Sequence, residues 1–415
     1  MSRTARHTAS RRTTLGTWGL RAASLLLSTL LALVIVEYGW RLVKFRHFTI
    51  EAGIDHPHFH HRLKPNQAYH YSSREFDVVI HTNRYGLRGR DPVIPKPPGV
   101  VRILVLGDSF VFGFPVRDEE TFCARLEAGL QADGYPVEVI NGGVSGYSPT
   151  LEYLSLRDEF LAFEPDLVML WYDLGDLQED TWFQKNLLYD ADGRILRCDP
   201  RYIHGRFARW EWITNHSVIA KYVNTKILRT LYYLRTLGLR ELVQTKLRGE
   251  RAKVAVARLM AAQKSKDLAG SDKFLLARES STVELVEPYW ELSATYLRMI
   301  RDVLAERRIP LLLANYPYGI LVGPDQWAEG RTFWGFEKGK RYEATVVQTL
   351  LTDFSRQEHL PYLTTLEHFR AAAHEKLFYD WDGHMTPAGQ RVWAEAVLTN
   401  DEFLKTVRRA AERAR

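Results

Sequence analysis

Val101-Arg102-Ile103-Leu104-Val105-Leu106-Gly107-Asp108-Ser109-Phe110 is the stretch on which the fold turns. A short, mostly apolar, β-branched run that ends at a glycine reads as a strand buried on both faces, the kind found in parallel sheets. Working toward the C-terminus, Asp118 to Gly134 carries Phe122, Leu126 and Leu130 on one helical face. Val137 to Ile140 reads as a second strand and Leu151 to Phe163 as a second helix. Pro165 breaks the pattern before a third strand, Asp166 to Tyr172. The rhythm resumes late in the chain with a helix over Val283 to Arg307, its Pro288 tolerable in the first turns. A strand over Ile309 to Ala314, a helix over Arg341 to Glu358 and a strand over Leu360 to Thr364 follow. Thr386 then caps a last helix with Pro387 at its first position. Strand and helix alternating with short connections predict an α/β domain around a central parallel sheet.

The ends and the middle read differently. The chain has 415 residues, 46% hydrophobic and 26% charged, with a formal net charge of +6, an ordinary globular composition. Much of the excess charge lies at the termini and in one middle stretch, so it does not argue for nucleic acid. Arg3, Arg6, Arg11, Arg12 and Arg21 precede an apolar run, Ala22 to Val36, broken only by Ser24, Ser28 and Thr29. Trp18 to Tyr38 reaches bilayer length if Arg21 and Glu37 snorkel. No small-residue cleavage site follows the run. The expectation is a disordered, basic cytoplasmic tail over 1–20 and an uncleaved single-pass anchor over 21–45 in the inner (cytoplasmic) membrane. The bulk of the chain then lies on the periplasmic, extracytoplasmic side.

Residues 46–99 read as a small β-containing region, with a strand over Phe76 to His81 and a turn at Asn83-Arg84-Tyr85-Gly86. His56, His58, His60 and His61 invite a metal reading, but Glu51 and Asp55 complete no ligand spacing and no Cys stands near. A solvated loop is expected there, and no metal or other cofactor. Cys123 and Cys198 alone define no disulfide framework. The core is expected over 100–180 and 286–415, interrupted by a helical insertion over 181–285. Within that insertion Thr225 to Ser265 is basic, and Lys264 to Lys273 is a polar linker.

Four short segments carry the chemistry. Ser109 directly follows the first strand, at the sheet edge where α/β proteins bind ligands. Its hydroxyl is inert until a base takes its proton. Asn141-Gly142-Gly143-Val144-Ser145-Gly146 follows the second strand, where glycines present backbone N–H groups. Asp173-Leu174-Gly175-Asp176 follows the third. Asp380-Trp381-Asp382-Gly383-His384 places acids beside a histidine just before the last helix, an arrangement that can orient an imidazole base.

In these segments the chain resembles the SGNH/GDSL hydrolases, in particular membrane-tethered bacterial esterases and lipases of that kind. The resemblance is strongest over 80–178 and 375–400. It implies a three-layer, flavodoxin-like fold, with Ser109 as nucleophile and His384 as general base. It also implies that the N–H groups of Ser109 and Gly146 form an oxyanion hole. Asp382 is the expected partner of His384, with Asp380 as fallback; Asp108 and Asp176 are further candidates. One departure stands out: where the family places an Asn whose side chain donates to the oxyanion, this sequence has Gly175. Three functions follow. The first is an esterase acting on an O-acyl polysaccharide or a lipid. The second is an acyltransferase onto cell-surface polysaccharide. The third is an inactive binding protein that keeps the fold.

Overall fold

The computed structural model describes residues 4–44, 53–200, 217, 219, 220, 223 and 272–414, with side chains of the first helix described over 18–39. The chain divides into two units, residues 1–50 with 206–239 and residues 51–205 with 240–415. Most of the expected 181–285 insertion, including Thr225 to Ser265, lies outside the described residues.

The first unit is built on one helix, Thr4–Lys44. Residues 4–20 are thus helical, not the disordered tail expected: nothing between Arg3 and Lys44 breaks the helical backbone. Its segment Trp18–Gly39 has a mean hydropathy of 2.1 over 22 residues and is long and apolar enough to cross a membrane, spanning about 33 Å at 1.5 Å per residue. Glu37, near the end of that segment, accepts from the Ser217 hydroxyl (3.0 Å) and the Ile219 N–H (3.1 Å).

The second unit is a three-layer α/β domain. Its five-stranded sheet comprises β5 (Val101–Leu106), β6 (Val137–Asn141), β7 (Leu167–Tyr172), β10 (Leu311–Asn315) and β11 (Tyr362–Thr364). They run in the order β11-β10-β7-β5-β6 and all pair in parallel. That is the flavodoxin-like order, with its switch point between β5 and β7. Strands β5, β7 and β10 are buried along their whole length, as strands covered on both faces must be. Helix Phe122–Ala132 packs with Pro387–Leu398, and Val283–Glu306 packs with Pro149–Asp158 and Asp176–Phe183.

Capping chemistry sets where several helices begin. Thr121 accepts from the Ala124 N–H and Thr386 from the Gly389 N–H. The expected helix over Asp118 to Gly134 therefore starts as a single 3₁₀ turn, Asp118–Glu120, and becomes α-helical only after Thr121. The helix expected to end at Phe163 stops at Asp158, and a 3₁₀ turn, Phe160–Phe163, closes on Glu164 at φ +56°. The helix expected from Arg341 begins only at Val346.

The histidine-rich segment is not a solvated loop. β1 (Gly53–His56) and β2 (His60–Leu63) form an antiparallel hairpin, and the His58 carbonyl accepts from the Cys198 N–H at 2.7 Å. Phe59, His60 and Leu63 of this segment are buried. β3 (Ala68–Ser72) pairs with β4 (Asp77–His81), and β8 (Leu187–Tyr189) with β9 (Ile195–Cys198). Buried Arg88 links this region to the turn after Ser109, donating to Asp118 (3.0 Å) and to the carbonyls of Phe112 (3.1 Å) and Gly113 (2.6 Å). Cys123 and Cys198 are both free and buried.

Candidate active site

The carboxyl ends of β5, β6, β7 and β10 share one edge of the sheet, because their registers place Leu106 beside Leu170, Val105 beside Asn141 and Asn315 beside Tyr172. The segments after these strands therefore converge. Asp108 caps the short helix Ser109–Phe112, its Oδ1 accepting from the Phe110 N–H at 2.8 Å. This leaves Ser109 half-buried at the head of that turn.

Ser109 Oγ lies 2.8 Å from His384 Nε2, and His384 Nδ1 lies 2.6 Å from Asp382 Oδ1. A carboxylate only accepts, so Nδ1 carries the hydrogen and Nε2 turns its lone pair to the Ser109 hydroxyl. Burial pushes the Asp382 carboxyl up, but the hydrogen bonds and charge of His384 outweigh it and hold the carboxyl below its ordinary value. The Asp382 loop is fixed from outside. Glu75 accepts from the N–H groups of Trp381 (3.0 Å) and Asp382 (3.0 Å). Gly383 sits at φ +91° against Trp327, where a Cβ would fall 2.6 Å from the indole. Phe110 and Phe114 flank the His384 ring at centroid distances of 4.7 and 5.1 Å.

The glycine loop after β6 is tied to the serine turn by the Val144 N–H donating to the Gly107 carbonyl at 3.1 Å. Gly146 adopts φ +76°, and a Cβ there would meet nothing within 4 Å, so this residue faces open space. Among the described residues neither the Ser109 N–H nor the Gly146 N–H makes a hydrogen bond. Free backbone donors beside a base-linked hydroxyl are what an oxyanion requires.

Asp173 does not point at the serine. Its carboxylate accepts from Tyr316 (2.5 Å), Tyr318 (2.6 Å) and the Gly175 N–H (2.6 Å). Tyr316 also contacts Asp108 Oδ1 at 2.9 Å, yet one hydroxyl hydrogen serves only one acceptor. Both contacts are hydrogen bonds at once only while one of the two carboxyls carries a proton. Burial and the charge of Asp173 push Asp108 up to about 6, which makes Asp108 the holder of that proton below that pH. Its Oδ2 stands 3.3 Å from Ser109 Oγ.

Two of the expected candidates are not brought to the serine. Asp380 pairs with Lys376 instead of His384, because its carbonyl is held by the N–H groups of Glu329 and Gly330 and its side chain turns out of the loop. Asp176 turns back to accept from the Asp173 N–H at 2.8 Å. Conversely, Glu75, Tyr316 and Tyr318 belong to the site although nothing singled them out in the sequence, and His61 belongs to it in place of the solvated loop expected for its cluster. The tyrosines follow a strand end at Asn315-Tyr316-Pro317-Tyr318.

No family model and no curated protein matches the sequence. Solved structures to which the chain is similar include an acetyl xylan esterase, AlAXEase, at 13% identity and TM-score 0.36, covering 71% of this chain and 97% of that one. A catalytic mutant of Axe2, an acetylxylan esterase from Geobacillus stearothermophilus, aligns at 14% identity and TM-score 0.35 over 74% of this chain and 94% of that one. TesA aligns at 12% identity and TM-score 0.36 over 74% and 99%.

Proposed function

We propose that this chain is an SGNH/GDSL-type serine esterase, anchored in the cytoplasmic membrane by Trp18–Gly39 with its α/β domain on the extracytoplasmic side. Its substrate on this reading is an acyl ester of a polysaccharide or a lipid. The observation that carries the reading is the unbroken chain from Ser109 Oγ through His384 to Asp382, at 2.8 and 2.6 Å, on the edge of the sheet beside free backbone donors.

The chemistry follows from those positions. The Ser109 hydroxyl gives its proton to His384 Nε2 as its oxygen bonds to the ester carbonyl carbon. The carbonyl oxygen takes the negative charge and meets the N–H groups of Ser109 and Gly146. Asp382 stabilises the imidazolium. His384 then protonates the departing alcohol oxygen, leaving an acyl group on Ser109. A water, deprotonated by His384, releases the acid and restores the serine. If a sugar hydroxyl replaces that water, the same steps transfer the acyl group.

The test is product analysis. Full-length protein in detergent is given p-nitrophenyl acetate, an acetylated oligosaccharide and a long-chain lipid ester, each with and without a free oligosaccharide acceptor. The esterase reading predicts free acid in amounts that the acceptor does not reduce. Acylated acceptor in place of free acid makes it a transferase; no turnover of any ester favours a binding protein.

A further inference from the structure

We infer that Lys273 supplies the positive charge of the acyl-transfer site, its side chain occupying the space that a side chain at position 175 would otherwise fill. This rests on the esterase reading above. A Cβ built on Gly175 would lie 2.8 Å from Lys273 Cε and 3.4 Å from its Cγ. A Cβ there would also lie 2.9 Å from Asp173 Oδ1, so glycine at 175 leaves room for both the lysine stem and that carboxylate.

The place matters because Gly175 lies three residues past the end of β7 and caps helix Asp176–Phe183, on the edge that bears Ser109. The lysine is set there by its neighbours. Phe274, buried, packs against Tyr318, Trp327, Trp334 and Phe336. Asp272 accepts from the Phe274 N–H (3.0 Å) and from Arg278 (2.8 Å). A cation held this way needs no reorganisation when charge develops nearby.

Charge balance gives the second argument. The crevice behind Ser109 holds the carboxyls of Asp108, Asp173 and Glu179, of which burial pushes Asp108 up to about 6 and Glu179 up to about 8. An oxyanion formed beside them would be opposed unless a cation stands among them. Lys273 Nζ lies 3.4 Å from Glu179 Oε1. Burial alone would lower its pKa, but the charges of Glu179, Asp173 and Asp108 outweigh that and keep the amine protonated. The Lys273 side chain is still 34% exposed. An ammonium has three donors, more than the single Glu179 contact uses.

Lys273→Met, Lys273→Arg, Lys273→Ala, Gly175→Asn and the double variant Gly175→Asn/Lys273→Ala test this in the full-length protein. The readouts are kcat and KM on p-nitrophenyl acetate, the rate of fluorophosphonate labelling, and the thermal midpoint. Lys273→Met is expected to lower kcat by about 10²–10³ with KM changed little, and Lys273→Arg to keep much of the rate. Gly175→Asn alone is expected to be impaired, and the double variant to be no faster than Lys273→Ala, because a Cβ at 175 still meets Asp173 Oδ1 at 2.9 Å. Wild-type kcat in Lys273→Met overturns the assignment. So does a loss that follows the thermal midpoint and is reversed by Glu179→Gln, which would make the lysine a structural ion-pair partner. Absence of turnover and labelling in the wild type instead sinks the esterase reading, and the lysine's role with it.

Discussion

The Nε2–H of His61 donates to the carbonyl of Ser145 at 2.9 Å. A trans peptide directs its C=O and N–H to opposite sides, so this bond turns the Gly146 N–H away from the hairpin. His61 is itself held: the Tyr147 hydroxyl donates to its carbonyl at 2.7 Å, and His60 Nδ1 meets its Nδ1 at 2.8 Å. Burial lowers its pKa, which keeps the imidazole neutral with Nδ1 accepting from His60.

His61→Phe removes that donor and frees the peptide to flip. The expected result is a fall in kcat of up to about 10², less than complete loss of one oxyanion donor, with KM little changed. His61→Gln, which keeps an N–H at similar reach, should recover most of the rate. Steady-state kinetics on p-nitrophenyl acetate check both.

Asp382→Asn should lower kcat by about 10⁴, because a carboxamide in place of the carboxylate no longer fixes the Nδ1–H tautomer. Asp380→Asn should stay near wild type, since Asp380 pairs with Lys376. Equal losses in the two variants would contradict the assignment of Asp382.

Glu75→Ala leaves the N–H groups of Trp381 and Asp382 without their acceptor. The expected cost is about 1–3 kcal/mol of stability, with a fall in kcat of about 10² from misplacement of His384. Glu75→Gln keeps an acceptor oxygen and should lose less. Thermal midpoints and kcat, measured together, separate the two effects.

Asp108 gives a pH-dependent prediction. A carboxyl raised on folding contributes stability that is present below its ordinary value near 4 and lost as pH rises through the folded value, here about 6. The protein should therefore lose on the order of 3 kcal/mol from this group between pH 3 and pH 8. Asp108→Asn, which keeps the cap on Phe110, should flatten that decline. Thermal midpoints across the pH range measure it.

The parallel sheet was legible because Val101–Leu106, Leu167–Tyr172 and Leu311–Asn315 are mostly apolar runs, and such runs have few other uses. Ser109 and Gly146 stood out because a hydroxyl and a glycine loop each followed a strand's end, and His384 because it stood beside acids just before the last helix. The resemblance ranked Asp382 ahead of Asp380 as the partner of His384, and the fold supplies the physical reason: the Glu329 and Gly330 N–H groups hold the Asp380 carbonyl and its side chain pairs with Lys376. Glu75 and His61 act through backbone groups of distant loops, and nothing in their own neighbourhoods marks that. His61 was in view as part of a histidine cluster, yet its strand pairing with Gly53–His56 spans too few residues to show a period. The Gly175 departure reads as a missing donor in the sequence; only folding brings Lys273, 98 positions later in the chain, across it.

The central claim is that Ser109 and His384 share one proton. Mass spectrometry of the fluorophosphonate-treated protein, with peptide mapping and labelling rates for wild type, Ser109→Ala and His384→Ala, tests it most directly. The account predicts a single adduct on Ser109, none in Ser109→Ala, and labelling slowed by more than about 10³-fold in His384→Ala. An adduct on another residue, or equal labelling of wild type and His384→Ala, would contradict it.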